Sequence, residues 1–149
     1  MELKIKKTHR NAVIPKRATE GSAGFDLSAA LDEPIDIMPG ETKNISSGIA
    51  IELPLKDMVA LMFARSSLGA KYGVTLANSV GVIDSDFRGT IGMVLVNNST
   101  NPFHIESGDR LAQLIVISTI SLNVVEVEEL NSTKREIGGF GSTGVKELE

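Results

Sequence analysis

Residues 49–63 read Ile-Ala-Ile-Glu-Leu-Pro-Leu-Lys-Asp-Met-Val-Ala-Leu-Met-Phe. Large apolar side chains fall on every second position on either side of Pro54: Ile49, Ile51 and Leu53, then Val59, Leu61 and Phe63. A period of two is the spacing of an extended chain with one buried face, and a proline between two such runs marks the turn that joins two strands. The same alternation recurs at Leu3/Ile5, Ile35/Ile37, Ile45, Ile91/Met93/Leu95 and Leu122/Val124. Turn signals separate these runs at Pro39-Gly40, Gly73, Asn97-Asn98 and Gly108-Asp109. Many short strands at roughly ten-residue intervals predict an all-β sandwich or barrel. No internal repeat is visible.

The length of 149 residues fits a single domain, and 42% hydrophobic residues supply a core. Aromatic residues make up only 4% and Trp is absent, so that core must be aliphatic. A formal charge of -4 argues against a surface that tracks nucleic acid backbones, although a local cationic pocket stays open. The absence of Cys excludes disulfide scaffolds, thiolate nucleophiles and Cys-ligated metals. The first residues, Met-Glu-Leu-Lys-Ile-Lys-Lys, carry no apolar signal core, and the aliphatic runs are too short to cross a bilayer. A soluble intracellular protein is the expectation.

Ser66 to Tyr72 predicts one short helix, with Ser66 as its cap and Gly73 as its end. From Asn131 the pattern loses alternation and becomes polar and Gly-rich, which predicts a β domain over 1–130 and a mobile arm over 131–149.

Three stretches could carry chemistry. In Asn78-Ser-Val-Gly-Val-Ile-Asp-Ser-Asp-Phe-Arg-Gly89, period two places Asp84 and Asp86 on one side of an extended segment, which suits general-base work and equally suits a solvated hairpin tip. In Ala64-Arg-Ser-Ser-Leu68, a guanidinium and two hydroxyls meet unpaired N–H groups at a helix start, a plausible phosphate cradle or a plain cap. Arg135-Glu-Ile-Gly-Gly-Phe-Gly-Ser-Thr-Gly144 combines glycines, hydroxyls and an aromatic face, more than a bare linker requires. It lacks the Gly-Lys-Ser/Thr of a Walker loop. His9 and His104 stand alone, without a second ligand at metal spacing, and read as surface histidines.

Together with Ala23-Gly-Phe-Asp-Leu27 and Gly108-Asp-Arg-Leu-Ala-Gln113, these stretches form five collinear motifs, and the chain resembles the trimeric dUTPase (deoxyuridine triphosphate nucleotidohydrolase) family over nearly its whole length. The resemblance implies a jelly-roll-like β fold and a cytoplasmic homotrimer with active sites at subunit boundaries, engaging neither nucleic acid nor membrane. It implies cleavage of dUTP to dUMP and pyrophosphate by water attack on the α-phosphorus with Mg2+, which limits uracil incorporation into DNA and supplies dUMP.

By the same resemblance Asp84 activates the water, and Asp26 holds Mg2+ through water. Arg65, Ser66, Ser67 and Gln113 contact phosphates. Asn78, Gly81, Val82 and Ile83 read the uracil edge, and Phe87 packs on the deoxyribose. Arg135, Gly141, Ser142 and Thr143 close over the polyphosphate, with Phe140 over the base. Three positions depart from the family's usual pattern: Phe87 for Tyr, Ser67 for Gly in the second motif, and Glu136 for Gly. An extra carboxylate beside a triphosphate is unfavourable unless it points away. Two other readings share the fold: a dCTP deaminase-type enzyme and a nucleotide-responsive protein-binding module. The deaminase relatives carry a glutamate ten positions beyond the aspartate matching Asp84, where this chain has Val94, which cannot shuttle protons.

Overall fold

The computed structural model describes residues 1–139. The chain forms β1 (Lys4–Lys7), β2 (Phe25–Ser28), β3 (Ile35–Ile37), β4 (Thr42–Ser46), β5 (Ile49–Glu52), β6 (Met58–Ala64), β7 (Val74–Leu76), β8 (Val80–Ile83), β9 (Gly92–Asn97), β10 (Phe103–Ile105) and β11 (Arg110–Ser118). These assemble as four antiparallel ladders, ordered β2-β11-β6-β8, β4-β9-β7, β1-β5 and β10-β3. Most partners are remote in sequence, as in the crossing connections of a jelly roll. The expected all-β, jelly-roll-like fold is what the chain adopts. Its core is aliphatic, built on Leu27, Ile37, Ile45, Ile49, Met93, Leu95, Ile105 and Leu114.

Several local expectations are corrected. On β6 the buried residues are Ala60 and Met62, so Val59, Leu61 and Phe63 face outward. Both faces of this strand are apolar, and periodicity alone cannot choose between them. Asn78 to Ile83 is not half of a two-stranded hairpin. β7 pairs with β9 whereas β8 pairs with β6, so the turn through Ser79 (φ 61°) carries the chain from one sheet to another. The short helix is a π-type turn at Leu68–Tyr72, entered at Ser67, and no side chain caps it. Gly73 ends it in the left-handed region, as expected. Among the described residues the last strand ends at Ser118, and Leu122 and Val124 lie outside any strand with 80% and 99% of their surface exposed.

One backbone position is constrained from both directions. Gly48 sits at φ 66°, and a Cβ there would lie 2.6 Å from the Ala30 Cβ and 2.9 Å from the His9 Cβ. Gly48→Ala is therefore expected to cost about 2–5 kcal/mol, combining left-handed strain with overpacking. Urea unfolding measures this, and an unchanged midpoint would contradict the close approach.

Candidate active site

The outward face of the β2-β11-β6-β8 sheet changes character along its length. Strand register aligns Asp26, Gln113, Phe63 and Val80 in one row across it. The next row is Ile115, Leu61 and Val82, and beyond it lie Ile117 and Val59. Residues directly opposite in antiparallel strands share a face, so one corner is polar and the remainder is apolar.

At the polar corner, Asp26 on β2 is held between two guanidiniums. Arg110 Nη1 donates to its Oδ2 at 2.9 Å, and Arg65 Nε lies 3.4 Å from Oδ1. The Asp26 side chain is only 18% exposed, so these charges act in a partly desolvated setting. Arg65 leaves the end of β6, where its backbone N–H bonds to the Leu111 carbonyl at 3.3 Å. Gln113 stands opposite Asp26, and Gly24 passes so close to β11 that a Cβ would lie 3.0 Å from the Leu114 carbonyl oxygen.

Arg110 was not among the residues expected at the site, although it falls within the Gly108–Gln113 motif. Residues three apart on a strand point to opposite faces, which should direct Arg110 away from Gln113. A bulge between Arg110 and Ala112 inserts one residue against β2. It buries Leu111 and Ala112 in succession and turns Arg110 onto the face of Asp26.

Arg65, Arg110, Ser67, Tyr72, His104 and Asp109 line much of a cleft of about 530 Å³ beside this corner. Ser66 is exposed and does not line the cleft, and the Ser67 hydroxyl is not used in capping. His104 Nδ1 lies 2.7 Å from Asp36 Oδ1, and this hydrogen bond raises the imidazole pKa above its ordinary value. The rim thus keeps a proton to higher pH than a free histidine would. Both histidines are accounted for by carboxylate neighbours, since His9 lies 3.5 Å from Asp32.

A second cavity, of about 220 Å³, is lined by Asn78, Gly81, Val82, Ile83, Asp84 and Phe87, together with Met62 and Thr90, Ile91 and Gly92. The four residues expected to read the uracil edge and the Phe87 expected on the sugar are here with Asp84. The Phe87 ring lies against Gly89, where a Cβ would come within 2.5 Å of it. Among the described residues β8 is the edge of its sheet, so its outer N–H and C=O groups have no strand partner there. Asp84 and Asp86 are not on one extended segment. The Phe87 N–H bonds to the Asp84 carbonyl at 3.2 Å, closing a turn there.

The two cavities have no lining residue in common. Arg135 belongs to neither: its Nε donates to the Gly138 carbonyl at 2.9 Å. Glu136 adopts φ 44°, and its Oε1 accepts the Thr133 N–H at 2.7 Å, so the carboxylate is turned back on its own chain. Phe140, Gly141, Ser142 and Thr143 lie outside the described residues.

Residues 10–144 match the family model for dUTPase. This chain belongs to the dUTPase family. It is 47% identical over 132 residues to the deoxyuridine 5'-triphosphate nucleotidohydrolase of Desulfitobacterium hafniense strain DCB-2, covering 89% of this chain and 87% of that one. It is 44% identical over 146 residues to the enzyme of the same name from a Hydrogenobaculum species, covering 98% and 100%. Among solved structures, Staphylococcus bacteriophage 80alpha dUTPase with dUPNHPP superposes with a TM-score of 0.88 at 27% identity, covering 97% of this chain and 99% of that one. Residues of the second and fourth motifs thus line one pocket of the chain, and residues of the third line another. No described helix is long and apolar enough to cross a membrane.

Proposed function

We propose that the chain hydrolyses dUTP to dUMP and pyrophosphate, as a cytoplasmic homotrimer whose active sites are shared between copies. The observation that carries the shared site is the separation of the two half-sites. Asp26 lies on β2 and Asp84 just past the end of β8, the strands at opposite edges of a four-stranded sheet, with Asp84 a further four residues along from the Val80 row. Strand spacing and rise put them roughly 15–20 Å apart, too far for one triphosphate group to engage both. A second copy can bring its Asp84 to the first copy's Asp26–Arg65 corner.

The apolar remainder of that sheet face supports assembly: Val82 is 64% and Ile117 43% exposed. Ile120, Leu122, Val124 and Leu130 follow as an exposed apolar strip. Such surface gains most by burial against other copies.

In this reading Arg65, Arg110, Gln113 and the Ser66 and Ser67 hydroxyls bind and neutralise the phosphates. Asp84 takes a proton from water as that oxygen bonds to the α-phosphorus, and the bond to the bridging oxygen breaks, with its electron pair leaving on pyrophosphate. Among the described residues no cluster of acidic and His side chains is spaced to ligate a metal directly. Asp26 already has guanidiniums on both oxygens. This donor set fits an outer-sphere role, in which Asp26 accepts from the hydration shell of an Mg2+ bound mainly by the triphosphate. Bound there, Mg2+ would offset phosphate charge in the transition state.

The unpaired edge of β8 supplies donors and acceptors for uracil. Cytosine's amine would leave some of them unmatched, a penalty that can reach about 10⁴- to 10⁵-fold. Phe87 keeps the ring that packs on the sugar without a phenol to hydrogen-bond. Arg135 and the Gly138–Gly144 stretch serve to close over the polyphosphate and exclude water. Glu136, tied to Thr133, adds no charge toward it.

The deciding experiment is incubation with each deoxynucleoside triphosphate and Mg2+ and identification of the products. dUMP and pyrophosphate from dUTP alone are expected. Ammonia from dCTP would instead favour deamination, and binding without turnover would favour a nucleotide-responsive module.

A further inference from the structure

The proposed base sits just past the last paired residue of β8, on a turn at the edge of the sheet. Its carboxylate has no hydrogen-bond or ion-pair partner among the described residues, so whatever fixes its place must act through the turn itself. Two sets of contacts do so. The first is internal. The Phe87 N–H bonds to the Asp84 carbonyl, and Arg88 Nη1 donates to the carbonyls of Ser85 at 2.8 Å and Phe87 at 3.0 Å. These bonds set the shape of the turn without tying it to the rest of the molecule.

The second contact reaches outside. Half-buried Ser85 donates its hydroxyl to the Lys56 carbonyl at 2.9 Å, across to the loop between β5 and β6. That loop is itself anchored, because the Thr119 N–H donates to the Asp57 carbonyl at 2.7 Å just beyond β11. The position of the turn is therefore referred to β6 and β11, the two central strands of the sheet. β11 also carries Gln113 and Arg110 of the phosphate corner.

We infer that Ser85 is a positioning residue for Asp84: its hydroxyl pins the turn to the Lys56 carbonyl and fixes where the base meets the attacking water. The inference rests on Asp84 being the general base. Without the hydroxyl, the turn keeps its internal bonds but can pivot at the end of β8. A displacement near 1 Å at a reacting group can cost about 10²-fold in rate. The base-reading edge of β8 stays bonded to β6, so substrate affinity should hardly change.

Ser85→Ala is expected to lower kcat for dUTP roughly ten- to a hundred-fold with KM within about twofold, and Ser85→Thr to recover most of the loss. Steady-state kinetics should be run beside thermal melting and size-exclusion chromatography. A Ser85→Ala enzyme with native kcat overturns the inference. So does a variant whose kcat falls only with its melting temperature or assembly, or one that Ser85→Thr does not rescue. Asp84→Asn, measured in parallel, separates the two questions. If it is inactive while Ser85→Ala is normal, the positioning role fails and the base survives; if it turns over normally, the base itself is misassigned.

Discussion

Asp84→Asn should bind a non-hydrolysable dUTP analogue about as well as the native chain and yet turn dUTP over some 10²- to 10⁴-fold more slowly, the usual contribution of a positioned general base. The substitution keeps volume and shape, and the native carboxylate supports no hydrogen bond among the described residues, so the pocket around it should survive. Asparagine cannot accept the water's proton. What rate remains would come from charge neutralisation by the arginines and from positioning. Calorimetric titration with the analogue and a pyrophosphate-release assay measure the two halves of the expectation. Native turnover would remove Asp84 from its role.

Arg65→Ala should act on the other half-site. Asp26 would keep Arg110 on Oδ2 but lose the guanidinium 3.4 Å from Oδ1. With it would go a positive charge facing the triphosphate. A loss of about 10²- to 10³-fold in kcat/KM is expected, on the scale of removing one strong electrostatic contact to a developing anion. Arg65→Lys should restore only part, because an ammonium lacks the planar fork. The two variants also test the sharing of sites. If Asp84 and Arg65 of one site come from different copies, unfolding the variants together and refolding them as mixed trimers should recover about a quarter of native activity. Recovery near zero would place both residues in one chain's site.

Much of this was legible in the residues. Turn signals spaced along an alternating, aliphatic sequence gave the fold class, since only paired strands can bury one side of such segments. Arg65, Ser67, Asn78 and Asp84 stood inside motifs and line the pockets, and Gln113 stands opposite Asp26 beside the first of them. What escaped the reading depended on long-range pairing. The phase of β6 was misjudged because Leu61 and Met62 are both apolar, and register with β8 and β11 decides which is covered. Leu122 and Val124 alternate as strand residues should, but no described strand lies beside them to supply hydrogen bonds.

The sequence by itself determined that this chain folds as β structure around an aliphatic core and carries the dUTPase motifs in order, because both follow from local composition and spacing. Only the tertiary structure decided that Arg110 joins Asp26, through a bulge that reverses strand parity, and that Asp84 follows the strand at the opposite edge of the sheet from that corner. The first arises where segments 84 residues apart meet, and the second from which strands form the two edges of the sheet. No periodicity along the chain encodes them, since which side chains share a face is fixed only once the strands have paired.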